Sequence, residues 1–153
     1  MGIAALVLWI LTAGGGFYLL AKWVAHGGHR RSSASRFPPA LIFGHFLLAA
    51  TGLVLWIVYL AVHNNPIGWA ALIVLGVVAL LGITMFAQWI PAYQRSRSTV
   101  AVGGGASAQT AGDNSGDTTP EGSFPVAIVG AHGVLAVTTL ILVVLTMVGI
   151  GAS

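Results

Sequence analysis

The chain has 153 residues, of which 57% are hydrophobic and only 6% charged, with a mean hydropathy of +0.93. No soluble fold hides that much apolar surface, so the composition predicts an all-α integral membrane protein. The absence of cysteine excludes disulfides, thiolate metal sites and cysteine nucleophiles, and the net charge of +3 comes from basic residues beside apolar runs, a topology pattern that argues against a nucleic-acid partner.

Four stretches are long enough to cross a bilayer, which takes about 20 helical residues. They are residues 3–24, 39–62, 67–90 and 125–149. The first, opening MGIAALVLWILTAGGG, resembles a secretory signal but lacks a charged start and runs on to Val24, which predicts a retained span. It ends in Lys22 and Trp23, as the third ends in Gln88 and Trp89, and indoles at such positions favour the bilayer interface. HGGHRRSSASRFPP joins the first two spans, and the tight turn HNNP joins the next two. Pro38 and Pro125 open the second and fourth spans, where a missing N–H would be unpaired anyway. Residues 95–124, rich in Gly, Ser, Thr and Ala and holding all three acidic residues, predict a flexible loop. Lys22, Arg30, Arg31, Arg36, Arg95 and Arg97 then share one side, which makes loops 25–38 and 91–124 cytoplasmic and both termini external, in the plasma membrane of a prokaryote.

The spans repeat. Residues 37–55 align without gaps on 124–142, pairing Phe37 with Phe124, Pro38 with Pro125, Ala40 with Ala127, His45 with His132, Leu48 with Leu135, Ala49 with Ala136, Thr51 with Thr138 and Leu53 with Leu140. A weaker match pairs Gly16 with Gly82 and Trp23 with Trp89. The expected architecture is a four-helix up-down bundle of two parallel helix-pair repeats, residues 1–66 and 67–153.

An imidazole in hydrocarbon must find a partner, so His45 and His132 are the first functional candidates. Each lies equally far beyond its opening proline, about 10 Å into the membrane at roughly 1.5 Å per residue. On diagonal helices of a bundle, two imidazoles at one level can ligate an iron from opposite sides, which suits one haem b. Ala49 and Gly52 follow His45 on its own face, as Ala136 and Thr139 follow His132, and these small residues leave room for a flat ring. Gly16 and Gly82 fall near the same height on the other diagonal, and Arg36, Arg95 and Arg97 are candidates to pair haem propionates.

This pattern resembles the haem-bearing four-helix bundle of membrane b-type cytochromes, in which alternate helices supply axial histidines and the intervening ones present glycines to the ring edges. The resemblance implies His45 and His132 as the axial pair, with Gly16 and Gly82 as the glycines. Those cytochromes usually carry a second histidine pair deeper in the bundle, where this chain has Val58, Tyr59, Leu145 and Thr146, so one haem level is implied and electron transfer across the whole membrane is not.

The competing reading is a cofactor-free structural or accessory subunit of a larger membrane complex, in which each histidine bonds a Thr or carbonyl and glues helices together. A solute carrier is a third reading, although the spans hold no charged pathway. Thr51 and Thr138 fit back-bonds to carbonyls one turn earlier. His63 in HNNP fits a hairpin cap, with a proton or quinone role as its alternative, while His26 and His29 lack the carboxylates or cysteines of a structural metal site. No nucleophile context or phosphate cradle is present, so electron transfer or an accessory role outranks stand-alone catalysis. Expected partners are the lipid bilayer and a larger redox complex or further copies of the chain.

Overall fold

The computed structural model of the chain describes residues 1–30, 35–103, 120 and 124–150. Four α-helices make up the fold: α1 (Gly2–Ala25), α2 (Pro39–Val62), α3 (Asn65–Gly103) and α4 (Val126–Met147), with no strand among the described residues. All four are long and apolar enough to cross a membrane, α3 over Asn65–Pro91.

Local chemistry sets the ends. α1 stops where Gly27 turns left-handed at φ +75, and the N–H groups of His26 and Gly28 fall back on the carbonyls of Lys22 and Trp23. α2 stops at His63, itself left-handed at φ 53, whose N–H bonds the Tyr59 carbonyl at 2.8 Å; the residue is the hairpin cap that HNNP suggested. Pro66 falls in the first turn of α3, and α4 starts directly after Pro125.

One boundary differs from the sequence expectation. The loop expected from residue 95 is helical as far as Gly103, because Pro91 removes a single N–H and neither Gly nor Pro follows until Gly103. Residues 104–119 and 121–123 of that loop, and Arg31, lie outside the described residues, as do the side chains of Arg95 and Arg97.

α1 packs mainly along α4 and α2 along α3, with looser α1–α2 and α3–α4 seams. No Cα of α2 comes within 8 Å of α4, nor of α1 within 8 Å of α3, so these pairs are the diagonals of a four-membered ring. Two buried clusters close the ring. At the hairpin end stand Ala5, Trp9, Trp56, Ala71, Leu75 and Val143; at the loop end stand Trp23, Phe37, Ile42 and Trp89.

Trp23 and Trp89 turn into the bundle at this end. Trp23 is fully buried and Trp89 nearly so. Ser35 Oγ accepts the Trp23 indole N–H at 3.0 Å, and Gly28 lies so close to the indole that any Cβ would collide with it. Phe43, Leu47, Ile73, Leu80 and Val134 instead cover the outer faces.

Candidate functional site

Between the two clusters lies a layer in which no helix buries a residue: 13–22 on α1, 43–51 on α2, 79–88 on α3 and 126–138 on α4. The shorter of these stretches are on the order of ten residues, roughly 15 Å of helix rise. His45 and His132 stand in this layer. Their rings face each other across the α2–α4 diagonal with centroids 6.5 Å apart and planes inclined at 58°.

His132 is fixed. Its Nδ1 lies 2.9 Å from the carbonyl oxygen of Thr12 on α1. A carbonyl only accepts, so Nδ1 carries the proton and, in the neutral ring, Nε2 keeps a free lone pair. Thr12 turns its own hydroxyl to the Leu8 carbonyl at 2.8 Å. On the other diagonal arm, Val78 occupies in α3 the place of Thr12 in α1, and its carbonyl lies beside the His45 ring. It closes no hydrogen bond of acceptable geometry, and the buried Nδ1 of His45 is left without a partner. The two histidines match in position and differ in how firmly they are held.

The glycines admit these rings. A Cβ on Gly16 would come within 3.0 Å of His132 Cε1, and one on Gly15 within 3.6 Å of its Nδ1, while a Cβ on Gly82 would meet His45 Cε1 at 3.4 Å. Gly16 and Gly82 thus contact the imidazoles directly, a closer role than the ring-edge clearance expected from their height. Ala49 and Ala136 are half-buried one turn along from their histidines. Gly52 lies under the Trp9 indole, where a Cβ would approach it to 3.0 Å, so its space is already filled by the hairpin-end cluster. Thr139, the counterpart of Gly52, is buried and bonds the Leu135 carbonyl. Thr51 and Thr138 make the back-bonds their spacing suggested, to Leu47 and Val134.

A graded pair of substitutions follows. Gly16→Ala forces the pinned His132 ring to move and is expected to cost about 1–2 kcal/mol, whereas Gly82→Ala meets a looser ring at near-ordinary contact and costs less than half as much. Unfolding in mixed micelles measures both; equal costs contradict the difference in packing.

Arg36 lines a pocket of about 280 Å³ in the α1–α2 loop together with His29 and Arg30. Phe37 walls that pocket and belongs to the loop-end cluster. His26 is spent on the Lys22 carbonyl at 2.7 Å. Among the described residues no three His, Cys, Asp or Glu side chains gather to hold a metal ion. In the layer, the described side chains able to ligate a metal ion are those of His45 and His132.

Sequence reasoning missed the Thr12 carbonyl as the partner of His132 and Val78 as the residue whose carbonyl lies beside His45. Each lies one turn before its glycine, so the helical period that linked Gly16 to Gly82 also pointed to them.

Comparison with protein-family models, with curated proteins and with solved structures finds no match.

Proposed function

We propose that the chain is an integral membrane, b-type cytochrome-like module that holds one haem b between His45 and His132. The observation that carries this reading is the facing imidazole pair between the two buried clusters. Two imidazoles joined through one metal at about 2.0 Å per bond have ring centres roughly 6.4 Å apart, close to the observed 6.5 Å. A porphyrin brings four ligands of its own, so a two-histidine donor set completes its iron and suits no bare ion. Haem bound there supplies one-electron redox chemistry. Thr12 holds the His132 tautomer through its carbonyl, as outer partners of metal-bound histidines commonly do. The buried tryptophan clusters at the two ends of the layer would shield the site. Arg36, at the loop end, is part of the proposal as the partner of a haem propionate.

Two parallel helix-pair repeats are part of the proposal. Their support is that Ala71, Leu75, Val78 and Trp89 are buried in α3 as Ala5, Trp9, Thr12 and Trp23 are in α1, and Thr139 and Val143 in α4 as Gly52 and Trp56 are in α2. The expected setting is a prokaryotic plasma membrane with both termini outside, within a larger redox complex or an assembly of copies. An impermeant thiol reagent on intact cells should label a cysteine added after Ser153 and spare one placed at Ser107; the reverse pattern overturns the orientation.

The rival reading, a cofactor-free accessory subunit, takes the His132–Thr12 bond as glue between α1 and α4. It leaves the partnerless Nδ1 of His45 without a purpose. The two separate on pigment: protein expressed with ample haem should purify with one haem per chain under the first reading and with none under the second.

A further inference from the structure

We propose that His45 is an exchangeable ligand: when the haem iron is ferrous, the His45 imidazole gives up its place to a small neutral diatomic molecule such as carbon monoxide or nitric oxide, while His132 stays bound. This rests on the haem reading and extends it from electron carriage to ligand binding.

The two rings are held unequally. The Nδ1–H of His132 donates to the Thr12 carbonyl at 2.9 Å, and a hydrogen bond of that kind makes the opposite nitrogen a stronger metal ligand. The His45 ring has no such bond: its buried Nδ1 is without a partner, and the Val78 carbonyl beside it closes none. An imidazole lacking that outer partner is the weaker ligand of the two, and nothing of the kind returns its ring to one orientation.

Backbone contact differs in the same direction. A Cβ on Gly16 would meet three atoms of the His132 ring within 4 Å, and one on Gly15 two atoms of the same residue, whereas a Cβ on Gly82 would meet His45 at Cε1 alone. α1 therefore backs His132 closely, and α3 leaves the His45 ring room to swing.

The class of incoming ligand follows from the surroundings. The helix stretches of the histidine layer hold one charged side chain, Lys22 at the loop-end edge, so a charged ligand would meet the cost of an unpaired ion in an apolar site. A neutral diatomic carries no such cost, and the polarity and access of the site on one side of a haem decide whether such a ligand binds there. The exchange breaks the bond between iron and His45 and makes one between iron and the ligand; no electron or proton is transferred.

The test uses the full-length protein purified with haem, reduced without oxygen and mixed with carbon monoxide in a stopped-flow spectrometer. The wild-type Soret band should move to that of a six-coordinate carbonyl species, at a rate that levels off as carbon monoxide rises, because release of His45 comes first. His45→Ala should bind carbon monoxide about tenfold or more tightly, because the competent state is no longer a minor population. The plateau in the wild-type rate needs no variant, so it survives a His45→Ala chain that fails to fold. Wild-type protein that holds low-spin haem yet takes up no carbon monoxide at atmospheric pressure overturns the exchange, as does a wild-type rate without a plateau or equal affinity in wild type and His45→Ala. His132→Ala that keeps its haem and binds carbon monoxide as tightly as His45→Ala overturns the choice of His45. Colourless protein is the separate failure of the haem reading, seen before any gas is added, and removes the exchange with it.

Discussion

Changing His132 to alanine is expected to strip the haem from the protein, whereas changing His45 to alanine should leave a five-coordinate, high-spin haem on the remaining ligand. The asymmetry follows from how the rings are held. His132 is oriented by the Thr12 carbonyl at 2.9 Å and backed by Gly15 and Gly16, so its lone pair is presented at little further entropic cost. His45 has no such bond, and its buried Nδ1 is unpaired, so its ring must be ordered as it ligates. His63→Ala should change nothing in the spectrum, because that residue caps the α2–α3 turn at the hairpin end of the bundle. Optical spectra of the three purified variants check this. Identical spectra for His45→Ala and His132→Ala would contradict the asymmetry; normal haem in both would remove these residues from the site. The accessory-subunit reading instead expects colourless protein in which each substitution costs no more than about 1–2 kcal/mol of packing.

Trp56→Ala should be the most damaging substitution outside the histidine layer. Trp56 is fully buried among Ala5, Trp9 and Val143, its ring centre lies 4.9 Å from that of Tyr59, and its indole N–H donates to the Gly2 carbonyl at 3.2 Å. Truncation leaves a cavity and deprives that carbonyl of its α2 partner. Because the unfolded reference also sits in lipid, the transfer part of the usual loss is small and the packing part dominates. The expected cost is about 3 kcal/mol, the low end for a buried tryptophan. Trp56→Phe keeps most of the contact area, loses one hydrogen bond and should cost about 1 kcal/mol. Denaturant titration in mixed micelles separates the two, and a cost below about 1 kcal/mol for Trp56→Ala would contradict the packing at the hairpin end.

The spans were legible because length and hydropathy act on whole helices, and the observed ends fall within a few residues of those read from Val24, Pro38, HNNP and Pro125. The facing of His45 and His132 was legible too, since equal depth on diagonal helices follows from the repeated phrase. What a linear reading misses is tertiary choice. Trp23 and Trp89 are read from sequence as marking span ends, but their packing into one buried cluster with Phe37 and Ile42 is set between elements. Gly52 lies on the histidine face by periodicity, yet a side chain from α1, Trp9, claims its space. The extension of α3 to Gly103 was hidden because Pro91 and a polar composition read as a stop, although a single proline removes only one backbone donor. The partner of His132 escaped because it is a backbone carbonyl, which no residue type advertises.

Near-infrared magnetic circular dichroism of the purified ferric protein, combined with low-temperature electron paramagnetic resonance, tests the axial pair most directly. The account predicts a single low-spin species with bis-imidazole ligation, at one haem per chain. Folded protein that stays colourless when haem is supplied, or haem bound with an axial ligand other than His45 and His132, would contradict it.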